Sequence, residues 1–330
     1  MAPEPERSSQ VLIAQTKPEK QKAVQPQAEY IADFRFDSAK LKEIKENLGI
    51  TAFNAGETLI ILERLYEGLK TRDKPNHERK INITYDENKG LIREPATVLK
   101  EGTADCDEVT RTGYLLASES GVKNIVMVEM KWTDPETKKL TGHSAIVLMP
   151  QEEGGIPRIY DFTYFKKGKP LTIENNDLGG AIRKEYAADA VNPDFRIITR
   201  GNLNEVEAAH YDQVGEYYDK KNWKLMQEAY SRAVRLVQTE LKYNRNLGVA
   251  FEKQGKWKDA IYYYEKCMET EEGRNTARVR AALGIAYAKT GQDNKAVEEL
   301  KKALDLNPDA ALSKEIKDAL NLLQTRIKNK

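Results

Sequence analysis

Cysteine and histidine are scarce in this chain of 330 residues, which has two of the first and three of the second. The cysteines, Cys106 and Cys267, fall in segments of different character, so reduced thiols are expected rather than a framework of structural disulfides. Paired Cys or His residues at ligand spacing are missing as well, which argues against a structural zinc site. We therefore expect no bound metal and no cofactor.

An excess of charge of one sign is also missing, because 53 Lys and Arg residues face 52 Asp and Glu residues. This balance argues against general attraction to nucleic acid or to an anionic membrane. No apolar run approaches the roughly 20 residues that cross a bilayer, and the apolar stretch at 11–14 is too short for a signal peptide. We expect a cytoplasmic protein, unless an export signal once preceded the present Met1.

The chain divides into three segments of different composition. Residues 1–35 are rich in Pro, Gln, Glu and Lys without apolar periodicity, which predicts a disordered tail. Residues 36–200 mix helical and strand patterns, whereas residues 201–330 are helical throughout. Because helices are followed by antiparallel strands, the middle segment is predicted to be an α+β domain.

Helical periodicity in the middle segment predicts helices at 41–48 and 54–69. A further helix begins at Cys106, with Asp105 as its N-cap, Glu108 completing a capping box and Gly121 at its end. Its apolar stripe is predicted to contain Val109, Gly113, Leu116 and Ala117, and that of the helix at 54–69 Leu59, Leu62, Leu65, Tyr66 and Leu69. Strands are predicted at 81–85, 125–132, 143–149, 158–162 and 195–199.

The helical segment repeats itself. Leu247, Gly248, Phe251, Gly255, Ala260 and Tyr264 recur 36 residues later (283 − 247) as Leu283, Gly284, Tyr287, Gly291, Ala296 and Leu300. A degenerate earlier copy contains Gly215, Tyr218, Trp223, Met226, Tyr230 and Ala233. The pattern resembles the tetratricopeptide repeat. Three repeats and a capping helix at about 312–327 would bury a continuous core and present a surface for a protein or peptide partner.

Three residues of the middle segment could act together as a thiol nucleophile, its base and an orienting carboxylate. Cys106 is predicted at a helix N-terminus, His143 lies 37 residues later (143 − 106), and Asp161 follows 18 residues after that (161 − 143). A helix N-terminus and an imidazolium lower a thiol pKa, whereas neighbouring carboxylates raise it. Asp105, Asp107 and Glu108 would therefore need to point outward or to be engaged as caps. Taken singly, a buried Cys, a strand His and a turn Asp are each more often structural.

The sequences around these residues resemble the transglutaminase-like superfamily. The resemblance rests on Gly102 to Glu108, on His143 within its strand, and on Tyr160 to Thr163. It implies a papain-related fold with a Cys-His-Asp triad of Cys106, His143 and Asp161 in that order. The sequence departs from the common pattern after the histidine, where Ser144-Ala145 replaces Ala-Trp.

Two functions of different class follow. The first is thiol-dependent acyl transfer on a protein or peptide, with hydrolysis as in a protease or amidase favoured over transglutamination, while the repeats bind substrate or partner. The alternative is an inactive transglutaminase-like scaffold that serves as a protein–protein interaction module. The reactivity of Cys106 separates the two.

Overall fold

Helices and a single larger antiparallel sheet make up the N-terminal half of the packed chain. The computed structural model describes residues 31–50, 58–69, 81, 83–85, 93–133, 140–149, 157–162, 171–172, 191–197, 202–219 and 222–329. Its first four helices are α1 (Ser38–Asn47), α2 (Thr58–Leu69), α3 (Pro95–Glu101) and α4 (Cys106–Glu119).

The described strands of this half form two sheets. Two short strands, β1 (Thr84–Tyr85) and β2 (Thr103–Ala104), pair in parallel. The larger sheet has the order β6-β5-β4-β3-β7, and its neighbours all run antiparallel. Its strands are β3 (Ile125–Thr133), β4 (Leu140–Leu148), β5 (Arg158–Tyr160), β6 (Leu171–Thr172) and β7 (Val191–Ile197).

Most element predictions in this half are confirmed, with shifted ends. The strand predicted at 143–149 begins three residues earlier, at Leu140, because its first residues continue the pairing with β3. In α2, Leu59 is 40% exposed and Ile61 takes its place in the core, which corrects the predicted stripe. Residues 51–57 at the predicted start of that helix lie outside the described residues.

The packed chain begins before the predicted end of the tail. Ile31 and Phe34 are buried, and the Phe34 backbone N–H donates to the Tyr211 hydroxyl at 3.2 Å. Residues 31–35 of the predicted tail are thus packed on the folded chain, since burying these two side chains offsets the entropy of ordering the segment. Residues 1–30 lie outside the described residues.

Helix α4 is the centre of this half. Its residues from Glu108 to Ala117 are all buried, so it is enclosed on every side rather than on one stripe. Strands β3 and β4 cover it together with α2, α3 and a helix from the C-terminal half. Gly113 permits a close approach here, because a Cβ at this position would lie 2.7 Å from the ring of Phe162.

The C-terminal half consists of helices in antiparallel pairs. They are α5 (Leu203–Tyr218), α6 (Trp223–Leu236), α7 (Leu241–Lys253), α8 (Trp257–Met268), the short α9 (Glu271–Arg274), α10 (Ala277–Lys289), α11 (Asp293–Asp305) and α12 (Ala310–Lys328). The pairs α5/α6, α7/α8 and α10/α11 correspond to the three predicted repeats, and α12 to the predicted capping helix. This half is an all-α stack of helical pairs.

In each repeat a glycine at the same position lets the two paired helices pack closely. A Cβ on Gly215 would collide with the ring of Tyr230, and one on Gly248 with the ring of Tyr264. In the third repeat Gly284 faces Leu300 in the same way. The residues predicted from the 36-residue offset are therefore the ones that bring paired helices into contact.

Two hydrophobic clusters fill the described residues. The first runs without interruption from Ile31 in the N-terminal half to Ala250 in α7, and the second spans Ala260 to Leu323. The first cluster thus crosses the predicted domain boundary at residues 200 and 201. The α+β half and the first repeat share one core.

Candidate functional site

The N-terminus of α4 is held in place by a buried ion pair. Asp105 caps the helix by accepting from the Glu108 backbone N–H at 2.9 Å, and the Glu108 side chain accepts from the Asp105 backbone N–H at 3.1 Å. This confirms the predicted capping box. Arg93 adds a buried salt bridge, its Nη2 lying 2.6 Å from Glu108 Oε2. Cys106 is therefore the first residue of a rigidly anchored helix.

His143 and Asp161 are in direct contact. His143 Nε2 lies 2.8 Å from Asp161 Oδ2, and the Asp161 side chain is 1% exposed. Strand β4 carries His143, while Asp161 directly follows β5, the antiparallel neighbour of β4. The ring of Phe162 is held on Gly113 of α4, which fixes the adjacent Asp161 in turn.

Cys106 lies against the same strand, one residue beyond His143. The backbone of Ser144 forms a hydrogen bond to the Cys106 sulfur. The thiol also faces the Asp107 carboxylate, with Sγ 3.8 Å from Oδ1. Burial raises the pKa of the Cys106 thiol well above its ordinary value of 9.0, and the carboxylates of Asp107, Asp105 and Asp161 raise it further. These surroundings favour the thiol over the thiolate.

The Asp107 carboxylate faces the thiol, and three side chains contact it. The Ser144 hydroxyl donates to Oδ1. Gln213 Nε2 of α5 donates to Oδ2 at 3.4 Å, and Arg111 Nη2 lies 3.7 Å from the same oxygen. Although burial opposes it, Arg111 and the hydrogen bonds from Ser144 and Gln213 keep the pKa of the Asp107 carboxyl below its ordinary value of 3.8.

The pKa of Asp105 is shifted in the opposite direction from that of Asp107. Burial, and then the neighbouring Glu108 carboxylate, raise the pKa of Asp105 to about 6, although its hydrogen bond from the Glu108 backbone N–H works in the opposite direction. The helix cap therefore holds an acid that titrates close to neutrality, beside a carboxylate that stays charged.

The structure brings His143 and Asp161 into contact and places Cys106 beside the neighbouring Ser144. Sequence reasoning expected the carboxylates around Cys106 to be engaged as caps or to point outward. Asp105 and Glu108 are engaged as caps, but Asp107 faces the sulfur. The sequence did not predict the roles of Arg93, Arg111 or Gln213, because these side chains contact residues from distant segments of the chain. The departure at Ser144 was the one signal available, since Ser144 proves to be a partner of Asp107.

The remaining Cys and His residues have structural surroundings. Cys267 is buried and its Sγ lies 3.7 Å from the Leu241 carbonyl oxygen, so it packs inside the helical stack. His210 is buried against Phe34 and Tyr211. His77 lies outside the described residues. Within the described ranges, no group of three or more His, Cys, Asp or Glu side chains could hold a metal ion.

The solenoid also carries an open cleft of about 560 Å³ between its first two repeats. It lies beside α6, the turn that follows it and α8. Tyr262 on its wall is 53% exposed, and Lys266 lies over the Tyr262 ring at 5.9 Å. Arg235 is an exposed second cation, while Glu269 pairs with Lys266 at 2.8 Å. The charged residues among the described lining are thus Arg235, Lys266 and Glu269.

Among the described helices, none is both long enough and apolar enough to cross a bilayer.

Comparison with known proteins identifies the repeats. Residues 238–309 match the family model described as tetratricopeptide repeat, which covers α7 to α11. No curated protein matches the chain.

Several solved structures resemble part of the chain. MamA is 26% identical over 30% of this chain and 54% of that chain, with a TM-score of 0.28. The first tetratricopeptide domain of Spaghetti (RPAP3), solved with an HSP90 peptide, is 14% identical over 37% and 93% of the two chains, with a TM-score of 0.34. YrrB, described as having an unusual peptide-binding site, is 22% identical over 35% and 63%, with a TM-score of 0.31.

The alignment spans about half the length of MamA. TM-scores this low establish no shared overall structure, so these likenesses carry no argument about what the present chain binds. The matched family model and the helical pairs themselves are the findings on which the repeats rest.

Proposed function

We propose that this chain is a peptide-binding interaction protein whose repeat solenoid holds a segment of a partner protein. The observation that carries the proposal is the stacked set of three helical pairs, part of which matches the tetratricopeptide repeat. Stacked repeats create extended surfaces suited to binding a peptide segment. The repeats are moreover joined to the α+β half through a shared core, so that a bound partner is held beside that half.

The cleft between the first two repeats is the proposed contact surface, and its occupant is an acidic peptide. Arg235 and Lys266 outnumber Glu269 there, so the charged lining has a surplus of positive charge. Tyr262 supplies an exposed aromatic surface of the kind that anchors binding interfaces. Complementary charge would steer and orient an acidic segment toward this surface.

A peptide library displayed on phage and selected against the full chain tests this proposal. We expect acidic peptides to be enriched. A synthetic copy of an enriched peptide should lose at least about tenfold in affinity for Arg235→Glu and for Tyr262→Ser, which corresponds to the loss of an interface anchor. Fluorescence anisotropy of the labelled peptide measures the change.

Arg278→Glu is the matched control, because Arg278 is an exposed arginine on α10, away from the cleft, with a side chain that is 65% exposed. It should leave the affinity unchanged. Selection of neutral or basic peptides, or binding that is equally strong with Arg235→Glu, would contradict the proposed surface. The absence of any selected peptide would contradict peptide binding itself.

A second candidate function is acyl transfer through Cys106 in a transglutaminase-like domain comprising residues 36–200, followed by repeats over 201–330. The specific support is the contact between His143 Nε2 and Asp161 Oδ2 at 2.8 Å in a buried position. A carboxylate in this position orients an imidazole for proton transfer. The helix N-terminus at Cys106 adds a backbone N–H that can stabilise an oxyanion.

In this mechanism the Cys106 sulfur attacks the carbonyl carbon of an amide, and the thiol proton passes to His143. The tetrahedral intermediate then expels the amine, which takes that proton from His143, and a thioester remains on Cys106. Water hydrolyses the thioester to a carboxylic acid in the favoured course. An amine acceptor would give transglutamination instead. With Nε2 engaged by Asp161, Nδ1 is the ring nitrogen assigned to the proton transfer.

The protonated thiol is the reason for placing this function second. Asp107 faces the sulfur, so the resting site disfavours the thiolate that attacks most readily. The same observation favours the alternative of an inactive scaffold that serves as an interaction module. The interaction proposal holds in either case, because the repeats do not depend on the thiol.

A thioester-forming probe that carries an amide or ester electrophile distinguishes the two. An acyl transferase should label Cys106 in the unaltered chain, and His143→Ala or Asp161→Asn should slow labelling by at least about a hundredfold. Cys106→Ala is the blank. If labelling is no faster than that of a free thiol and is insensitive to His143→Ala, the inactive scaffold is the better description.

A further inference from the structure

The candidate thiol site contains a side chain from the repeat region. Gln213 belongs to α5, the first helix of the solenoid, and its amide donates to Asp107 Oδ2 at 3.4 Å. The opposite oxygen of Asp107, Oδ1, lies 3.8 Å from Cys106 Sγ. One carboxylate therefore connects the thiol to the first repeat.

Helix α5 cannot easily move away from this position. At its outer end Arg35 Nε lies 2.7 Å from Glu207 Oε2, and Phe34 both donates its backbone N–H to Tyr211 and packs its ring on His210 at 5.1 Å. The buried core is continuous across the same boundary. Gln213 is thus presented to Asp107 by a helix that is fixed on both sides.

The charged groups around Cys106 come from three elements. Asp107 and Glu108 belong to α4, with Asp105 as its N-cap and Arg111 one turn further along the same helix, and His143 lies on β4. Asp161 follows β5. Arg111 Nη2 also lies 3.9 Å from Glu129 Oε1 on β3, so its charge is divided between two carboxylates.

We propose that Gln213 is a positioning residue that holds the Asp107 carboxylate against Cys106, so that the repeat region controls how readily this thiol reacts. Each carboxylate oxygen of Asp107 has its own hydrogen-bond donor. Its Oδ1 is held by Ser144 beside the thiol, and Gln213 holds Oδ2 so that the carboxylate plane stays in place. The inference concerns the same site as the second candidate function, but thiol reactivity is measurable without any acyl-transfer substrate.

The test is the rate of Cys106 alkylation by iodoacetamide between pH 6 and 10, followed by mass spectrometry of the Cys106 peptide in the full chain. Asp107→Asn removes the negative charge and should shift the pH profile downward by about one unit, which means about tenfold faster labelling at pH 8. Gln213→Met keeps the length of the side chain and the charge of the site. It should accelerate labelling several-fold by releasing Asp107.

The double variant distinguishes positioning from a general structural effect. If Gln213 acts through Asp107, adding Gln213→Met to Asp107→Asn should change the rate no further. A change of equal size in both backgrounds would mean that Gln213 acts on packing alone. Gln324→Met and Asp305→Asn are matched controls at exposed positions on α12 and α11, and both should leave the profile unchanged.

An unchanged pH profile in folded Gln213→Met, or in folded Asp107→Asn, with folding checked by circular dichroism, would overturn the inference. Failure of the second candidate function gives a different outcome. The acyl probe would then not label Cys106, but Asp107→Asn would still shift the pH profile of alkylation. The Cys267 peptide of the same digests provides an internal reference, because Cys267 is buried in α8.

Discussion

Glu108 is the most heavily engaged side chain near the candidate site. Its carboxylate accepts from the Arg93 backbone N–H at 2.8 Å, from the Arg93 guanidinium, and from the Asp105 backbone N–H. A buried carboxylate is tolerated only when its charge and its lone pairs are satisfied. The position of Cys106 therefore depends on an arginine that lies before α3, 13 residues (106 − 93) earlier in the chain.

Arg93→Met tests this dependence. It removes the positive charge and leaves Glu108 buried, with the Asp105 and residue 93 backbone N–H groups as donors. We expect a loss of about 3–5 kcal/mol in the free energy of unfolding, measured by urea denaturation. Arg278→Met is the control at a 65% exposed side chain and should cost less than about 1 kcal/mol. Equal losses in the two variants would contradict the role of Arg93.

His210 introduces a pH dependence of stability. Burial, and to a lesser extent the charge of Arg111, hold the pKa of this imidazole well below its ordinary value of 6.5. In the unfolded chain His210 binds a proton below pH 6.5, whereas in the folded chain it stays neutral. Stability contributed by this residue is therefore complete above pH 6.5 and is lost as the pH falls below it.

We expect the unaltered chain to lose about 1.4 kcal/mol more stability than His210→Phe between pH 7.5 and pH 5.5. The phenylalanine preserves the ring that packs on Phe34 and does not titrate. Urea unfolding of both proteins at the two pH values provides the measurement, and the difference cancels the contributions of other groups. Parallel losses in the two proteins would show that His210 is protonated in the folded chain.

At the scale of elements, the repeats are defined by where paired helices touch. Gly248 lies so close to Tyr264 that an added Cβ would be 2.6 Å from a ring carbon. In the third repeat the same position faces Leu300, with the added Cβ 2.7 Å from Cγ. The ring is rigid and its hydroxyl is bonded to Glu252 at 2.8 Å, whereas a leucine can change rotamer.

Gly248→Ala should therefore destabilise the chain by about 1–3 kcal/mol, despite the higher helix propensity of alanine. Gly284→Ala should cost clearly less, because Leu300 can adjust. Thermal and urea unfolding monitored by circular dichroism rank the two variants. Asn321→Ala on the exposed face of α12 serves as a neutral control. The opposite ranking would mean that the aromatic contact does not set the helix spacing.

Helix α4 shows what periodicity alone can and cannot predict. The stripe of Val109, Gly113, Leu116 and Ala117 is buried as predicted. The opposite face, with Thr110, Arg111 and Tyr114, reads as more polar but is buried too, because α5 from the C-terminal half and strands β3 and β4 cover it. An amphipathic pattern predicts which face of a helix is buried. It does not predict whether other elements also bury the opposite face.

At the scale of the whole molecule, the α+β half and the first repeat are one structural unit. The first hydrophobic cluster includes Tyr66 of α2, Leu116 of α4, Val206 of α5 and Leu247 of α7. Cutting the chain between residues 200 and 201 would expose apolar side chains on both sides of the cut. Exposed apolar surface of this kind costs about 25 cal/mol per Å².

Two truncated chains test this coupling. A chain that ends at residue 200 should show no cooperative thermal transition and should be degraded rapidly by protease. A chain that ends at residue 308 lacks α12 and loses Leu312, Ile316, Leu320 and Leu323, all of which belong to the second cluster. It should keep a cooperative transition for the first cluster. Stable, cooperative folding of the shorter chain would contradict the shared core.

The sequence by itself determined the local features: the capping box at Asp105 and Glu108, the glycine positions of the repeats and the order of Cys106, His143 and Asp161. These follow from short-range rules, because caps and helical crossings need particular residues at fixed offsets. Only the tertiary structure decided that His143 contacts Asp161, that Arg93 pairs with Glu108 and that Gln213 reaches Asp107. Such contacts join residues 15 to 106 positions apart in the chain. They depend on how whole elements pack, which local patterns do not specify.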